Sequence, residues 1–504
     1  MKNIKIIFSI CCVLAMGWGC TDLEERPIGV LAPEGLFNTP NDVEVAVLGS
    51  VGLLATEGLY GRQFVSALML RGDMVDIGDR GTPAARQQMN DFNMDDNNGM
   101  VIVFWPIWYQ VISAANAAIA GAESITASES QLNPLIAEAR FMRAFAYYHL
   151  VRNFGEIPYI DYFINDPELV KTISKTPAPE VYANILADLE YAKQWLPDQR
   201  RNGIRTRATK GTAASYLASV HLTLENWQKA YEEAKWVIDN KARFGYDLVD
   251  DFQDLFRANT ANGLKEHVFA VDFLGLQTGA GNVNVDYNAS MTGVRGADRS
   301  GWSVMVPSLK VYQTWPEGDY RKRVSFDSAI VMRGTLQPYQ NFVNTKRPHI
   351  AKYSRFPGTA QGEMQVSDHN YAAMRYAEVL LIAAEALGEI TGGGNPEAVG
   401  YVNLIRERAR NEAGIMNTFP ADVMPGMAKD AFINLVLEER RFELAFEFKR
   451  WYDIKRRRLG NQVFLGPNSL EPQPNFSEAR DYLMPIPRQE LETNPNLGPQ
   501  NPGY

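Results

Sequence analysis

Two short stretches hold the carboxylates and amides best placed to do chemistry. In "RGDMVDIGDRG", Asp73, Asp76 and Asp79 fall three residues apart and Arg80 follows; in "MNDFNMDDNNG", Asp91, Asn93, Asp95 and Asn97 stand at alternate positions. Paired carboxylates can run acid–base hydrolysis when their surroundings set their pKa values apart. Nothing in either stretch marks one acid as raised, and a solvated acidic loop is the commoner arrangement. Oxygen ligands at alternate positions also open a calcium loop. Here Asp96 stands at the sixth position, where glycine is needed, and Ile102 at the twelfth, where glutamate should close the shell. No EF-hand is expected, and no metal or cofactor. A hydroxyl-rich ligand needs flat aromatic faces with amides, carboxylates or guanidinium groups around them. Phe92, Tyr287, Trp302 and Trp315 lie in loop-like sequence. With Asp73, Asp76, Arg80, Asn93 and Asn97 they make the expected binding set. Arg62, Arg71, Arg80, Arg295 and Arg299 could add a local basic surface suited to an anionic ligand.

Other chemistry has less material. "GAG" at 279–281 has no helix behind it to cradle phosphate, and the five histidines form no HExxH pattern. The run "KRWYDIKRRR" reads as a cationic helix end favoured by the helix dipole. A formal charge of −9 disfavours nucleic acid as a partner. The three cysteines sit at 11, 12 and 20. Lys2 and Lys5 precede the apolar run Ile6–Met16, a signal-peptide core too short for a spanning helix of about 20 residues. Gly17 and Gly19 then lead into Cys20, the pattern of lipoprotein processing, although Trp18 is out of keeping beside a cleavage point. An ordinary secretory signal cut nearby is the alternative. Removal of residues 1–19 leaves Cys20 as the only cysteine, so the body has no internal disulfide. Acylation there would anchor the chain, since several acyl chains hold stably where one holds marginally.

These residues must be positioned by a frame, and the frame reads as helical. In "GTAASYLASVHLTLENWQKAYEEAKWVID", Ala213, Tyr216, Leu217, Val220 and Leu224 share one face, Glu225 and Asn226 turn the chain, and Trp227, Ala230, Tyr231, Ala234, Val237 and Ile238 share another. So tight a turn makes an antiparallel pair of the tetratricopeptide type. "FWPIWYQVISAANAAIAGAES" and "AEARFMRAFAYYHLVRNFG" make a second pair, and "MRYAEVLLIAAEALGEI" with "PEAVGYVNLIRERAR" a third. "FINLVLEERRFELAFEFKRWYDIKRR" reads as one further long helix. No apolar run after Cys20 reaches transmembrane length. Trp105, Trp108, Trp195, Trp227, Trp236 and Trp451 fall in or beside these patterns and are assigned to the core. The expected organisation is a single body over 20–504. Helical-repeat segments run over about 100–245 and 370–460, and loop-rich insertions over about 60–100 and 245–370. In the second insertion glycine and asparagine rise and aromatics stand among polar residues.

Several segments together resemble the SusD/RagB-like nutrient-binding outer-membrane lipoproteins: the lipoprotein start, "EARFMRAFAYYHLVRNFGEIPYI", "MRYAEVLLIAAEA", "EERRFELAFEFKRWYDIKR" and the ending "YLMPIPRQELETNPNLGPQNPGY". They occur in order from Cys20 to Tyr504. The resemblance implies a mainly α fold, tetratricopeptide-like helix pairs beside a loop-rich, irregular ligand-binding half. It implies no enzymatic activity, and a lid-like role over a SusC-like TonB-dependent transporter, to which the protein would pass captured oligosaccharide or, in some members, peptide. The acids behind the cysteine, Asp22, Glu24 and Glu25, resemble the signal that sends such lipoproteins to the cell exterior. The family's individual binding residues do not map onto these variable loops. Two readings of other classes stand beside it: a surface glycosidase using loop carboxylates, and a helical scaffold that binds only protein.

Overall fold

The computed structural model describes residues 36–275, 285–299, 301–358 and 366–504. Cys20 and the acids behind it, and the "GAG" at 279–281, lie outside the described residues. Helix α1 (Pro40–Leu53) starts on a capping box between Thr39 and Asp42, with proline at its first position. A π-helical turn at Glu57–Gly61 leads to α2 (Gln63–Leu70), and strand β1 (Val75–Ile77) and α3 (Ala84–Asn90) follow. Asn98 caps α4 (Gly99–Ser124) by accepting from Met100 N. Helix α5 (Glu129–Phe154) opens on a Ser128–Gln131 capping box and ends at Gly155, whose φ of 74° is open to glycine at little cost. Next come α6 (Ala178–Trp195), α7 (Lys210–Thr223) and α8 (Trp227–Asp239). Glu225, at φ 58°, makes the tight turn of the α7–α8 pair.

The chain then leaves the helical array. It returns through β2 (His267–Val271), α9 (Asn288–Thr292), β3 (Met305–Pro307) and β4 (Tyr371–Arg375) to α10 (Tyr376–Thr391), α11 (Pro396–Arg410), α12 (Lys429–Glu443) and α13 (Arg450–Arg456). Each helix from α4 to α8 packs on the next, and α8 packs directly on α10, which carries α11 and α12 on its other sides. The array is therefore continuous across the excursion between α8 and α10. Strands β2 and β4 pair antiparallel, Val271 opposite Tyr371 and His267 opposite Arg375, and so fasten the two ends of the excursion together. The described ladders are all two-stranded, and the body is held by one large apolar cluster that runs from Phe37 to Ile486. Trp105, Trp108 and Trp451 are buried in it; Trp195, Trp227 and Trp236 pack against it half-buried.

Three features differ from the sequence expectation. The stretch 60–100 contains α2, buried throughout from Phe64 to Leu70, and α3; "QFVSALML" is too short and too uniformly apolar for its period to be read. The segments Pro40–Gly61 and Gly99–Ser124 are long and apolar enough to cross a membrane, yet half of each lies buried within the body. They are core helices, because packing on α5 covers their apolar sides. "FINLVLEERRFELAFEFKRWYDIKRR" is not one helix. It breaks after Glu443, with Phe446 and Phe448 at φ 64° and 65°, and resumes at Arg450. The break lets Phe446 and Phe448 pack on Phe326 and Tyr353 in the excursion. It also aims Glu447 at Arg375 and Lys352. Arg375 additionally meets Glu266 and Glu443, and Arg408 meets the same two acids. This buried network joins the base of the excursion to α11 and α12.

Candidate functional site

The β1–β3 ladder brings the two loop regions together. Val75, Asp76 and Ile77 pair with Pro307, Val306 and Met305, and Gly78 N continues the ladder to Val304 O at 2.9 Å. The segment before β3 is pinned to α9: Trp302 N donates to Ser290 O at 2.7 Å, Ser303 N to Gly293 O, and Val304 N to Met291 O. Tyr287, directly before α9, donates its N–H to Gly61 O, and Asn288 Nδ2 donates to Tyr60 O at 3.0 Å. Segments around residues 60, 287 and 302 thus form one surface. On it the Tyr287 and Trp302 rings stack with centroids 5.9 Å apart and planes 23° apart. The Arg62 guanidinium lies 5.0 Å from the Tyr287 centroid and is paired with Glu57. Both rings are half-buried.

Two buried polar groups hold these rings. Asp286 accepts from Tyr371 OH at 2.6 Å, from Asn288 N and Nδ2, and from Ser367. Burial pushes its carboxyl up to about 6 in spite of those hydrogen bonds. Ser303 sits at φ 51°, a region uncommon for a residue with a side chain. Its Oγ accepts from Arg295 N at 2.8 Å and meets His349 Nε2 at 2.8 Å, while His349 Nδ1 meets Arg347 O at 3.0 Å. A carbonyl only accepts, so Nδ1 carries the proton and Nε2 takes the Ser303 hydroxyl hydrogen. Burial lowers the His349 pKa to about 4, which keeps this neutral tautomer. Sequence reasoning missed both supports. The Asp286–Asn288 spacing, an Asx cap before a short helix, was the one available signal.

The expected binding residues separate. Tyr287 and Trp302 come together; Asp76 lies in β1, paired with Val306 of β3, and Arg80 on the turn that follows. Asp76 is buried and taken up by Arg347 at 2.9 Å and Asn90 at 3.1 Å; Arg80 is half-exposed and pairs with Asp91 at 2.7 Å. Asn93 and Asn97 are exposed on the turn before α4. That turn is tied to the C-terminal segment through Arg488–Asp96 and Arg480–Phe92 O, and no described contact joins the two asparagines to Tyr287 or Trp302. Three assignments are corrected. Phe92 is 0% exposed, packed against Phe464, Phe476 and Trp451 with Arg71 over its ring. Trp315 is 1% exposed between Phe326 and Phe442. Asp73 is 1% exposed with both oxygens on Arg450 at 2.7 Å; burial alone would raise its pKa, but Arg450 outweighs it and holds the carboxyl below its usual value. Large aromatics in irregular sequence still dominate burial, and a carboxylate so close to a buried guanidinium must pair with it.

The basic surface dissolves likewise. Arg71 is buried against Asp481, Arg295 pairs with Asp79 at 2.7 Å, and Arg299 donates to Ser354 O. Arg62 alone of that set meets the aromatic pair. Asp91 is engaged by Arg80 and Asp96 by Arg488, so the acids of "DFNMDD" point to partners rather than to a shared centre. What remains is a half-buried pair of stacked rings with a guanidinium and a carboxylate beside it. An open ring face of such a pair can cover the C–H side of a sugar ring while the polar groups bond its hydroxyls.

Residues 309–504 match the family model described as SusD family, and residues 77–222 match one described as starch-binding associating with outer membrane. The chain is 52% identical to SusD-like protein P2 of Formosa agariphila over the full length of both chains. It belongs to the SusD-like family. A second relative, SusD-like protein P25 of the same organism, is 26% identical over 94% of each chain. Among solved structures, a SusD homolog from Bacteroides thetaiotaomicron superposes on this SusD-like chain with a TM-score of 0.82 at 22% identity, covering 94% of this chain and 98% of that one. A laminarin binding SusD-like protein does so at 0.78 and 24% identity, over 93% and 100%. At these identities the superpositions carry the fold: a mainly α body built from tetratricopeptide-like pairs. The family is one of glycan-binding proteins.

Proposed function

We propose that this SusD-like protein captures oligosaccharide on the Tyr287–Trp302 face, at the cell exterior, and passes it to a SusC-like TonB-dependent transporter. Lipid on Cys20 holds it to the outer membrane, with the acids behind the cysteine directing it outward. The stacked Tyr287–Trp302 pair beside Arg62 carries this reading, because an aromatic face with a guanidinium next to it suits the C–H side and the hydroxyls of a sugar ring. Support comes from the laminarin-binding neighbour and from the outer-membrane association in the description of one matching model. A glycosidase reading loses its carboxylates: Asp73 and Asp76 are each committed to arginine.

The test uses protein beginning after Cys20, with a panel of oligosaccharides in calorimetry and product analysis of the same mixtures. Retention of a glycan without cleavage is the expected result. A panel without binding, alongside tight binding of peptides, would move the protein to the peptide-binding members of its family. Release of shortened sugars would replace binding by catalysis. Delivery is checked separately: the full chain should co-purify with a TonB-dependent transporter from outer membranes, and Cys20→Ala should free it from them.

A further inference from the structure

A second site lies on the helical array, away from the aromatic pair. Buried guanidinium groups in this protein are as a rule neutralised: Arg143, Arg207, Arg321, Arg375 and Arg440 each meet a carboxylate at salt-bridge distance. Arg152, on α5 and only 9% exposed, has none among the described residues. Its plane is sandwiched between the Tyr148 and Tyr452 rings, 3.7 and 3.5 Å from their centroids. Nε donates to Tyr148 O and Nη2 contacts His149 Nδ1, leaving Nη1 without an acceptor among the described residues. A buried charge of this kind carries a large desolvation cost until a counter-charge reaches it.

Arg152 opens onto a cleft of about 330 Å³ between the α6–α7 end of the array and the end of α13. Lys455, Arg458, Tyr182, Tyr482 and Glu225 line it. The partly buried Lys455 donates to Arg152 O and meets no described carboxylate; Arg458 is exposed, also without a described ion pair. Arg456, on the same wall, is by contrast neutralised by Glu385 and Asp453. Three cations thus face one exposed carboxylate, Glu225, and the Tyr182 hydroxyl has no described hydrogen-bond partner. Lys455 and Arg458 both come from the segment "KRWYDIKRRR".

We propose that the Arg152–Lys455–Arg458 cleft is an oxyanion-binding site, which takes a carboxylate, sulfate or phosphate group between the Arg152 guanidinium and the Lys455 ammonium with Arg458 closing from outside. Charge-assisted hydrogen bonds from guanidinium and ammonium suit such a group. The anion is either a free inorganic ion or an acid group on a larger ligand. Burial, with Arg71 and then Arg152 nearby, pushes the Lys455 ammonium down to about 7. The other groups facing it across the cleft are Arg456, Arg458, Glu225 and the Tyr182, Tyr452 and Tyr482 hydroxyls. An anion beside Lys455 restores the ammonium, so binding at pH 8 takes up a proton.

Calorimetry on the chain from residue 21, with sodium sulfate and with sodium acetate as probes and chloride at matched ionic strength as the reference, tests this. Saturable binding of at least one probe is expected, with a heat at pH 8 that changes with the ionisation enthalpy of the buffer. Sulfate without acetate would assign a tetrahedral anion, and the reverse a carboxylate; either supports the site. Lys455→Met and Arg458→Ala should each weaken binding about tenfold, the scale of one charge-assisted hydrogen bond. Lys455→Met should also abolish the buffer dependence. Arg458 is exposed, so its variant keeps the test valid if Lys455→Met does not fold. Trp302→Ala should leave anion binding unchanged, which separates this site from the aromatic face. The absence of saturable binding for both probes, or an unchanged affinity in both variants, overturns the proposal.

Discussion

Trp302 and Trp315 show how far apart two residues of one type can lie in function. Both stand in irregular sequence, yet Trp302 is half-buried on the surface beside Tyr287, and Trp315 is enclosed by Phe326 and Phe442. Trp302→Ala should weaken oligosaccharide binding by about 1–3 kcal/mol, the range for a stacked aromatic, as read by calorimetry, with little change in stability. Trp315→Ala removes a fully buried indole and should cost about 3–5 kcal/mol in denaturant unfolding, with the affinity of the molecules that remain folded unchanged. Trp315→Phe should cost much less than Trp315→Ala, because a phenyl ring refills most of the space and the buried indole Nε1 has no hydrogen-bond partner among the described residues. If Trp315→Ala weakened binding at full stability, burial would have misassigned it.

At the scale of elements, close helix packing sets the limits on change. Gly388 on α10 faces Phe432 on α12, and a Cβ there would lie 2.7 Å from the Phe432 ring. Alanine is the better helix former by up to about 1 kcal/mol. Phe432 is fully buried and has nowhere to move, so the clash should win. Gly388→Ala should destabilise by about 1–3 kcal/mol, seen as a lower midpoint of thermal unfolding; a raised midpoint would mean that the α10–α12 contact yields. The supports of the aromatic face follow the same logic. Asp286 and Ser303 touch no ligand surface themselves, but each fixes the backbone from which Tyr287 or Trp302 projects.

Over the whole molecule, buried histidines decide the response to acid. Burial lowers His267, His349 and His369 to about 4, and holds His149 well below its ordinary value. In the unfolded chain each titrates near 6.5, so the unfolded state binds protons first as the pH falls. Their contribution to stability is complete above about pH 6.5 and is lost between there and about pH 4, at about 3 kcal/mol for each of the three. Asp286 acts in the opposite sense: its carboxyl, raised to about 6, favours the fold at low pH and loses that contribution as the pH rises through 6. Burial also raises Glu138, Asp188, Glu233, Asp254, Glu471 and Glu490, which act with Asp286, and lowers His221, which acts with the other histidines. The large shifts of the buried histidines leave a net loss. The unfolding midpoint should therefore drop steadily from pH 6.5 to 4, and His349→Gln should flatten the slope. A midpoint independent of pH across that window would show that these histidines are not buried neutral.

The sequence by itself determined the helical frame, since apolar faces at helical spacing and residues such as Ser128 and Gly155 act locally. It made the α7–α8 pair and the Glu225–Asn226 turn legible down to single residues. It also carried the family resemblance, because motifs of fixed order survive where loops diverge. Only the tertiary structure decided which loop aromatics face outward, because burial depends on partners far along the chain: Phe92 is covered by Phe464 and Phe476, and Asp73 by Arg450. The break between α12 and α13 was hidden for the same reason, as it exists to meet Phe326, Tyr353 and Arg375 from the excursion. Pairing of charges is likewise a matter of distance in space. From composition alone Arg152 and Arg321 are equivalent, and only the fold places one among carboxylates and the other at the edge of an open cleft.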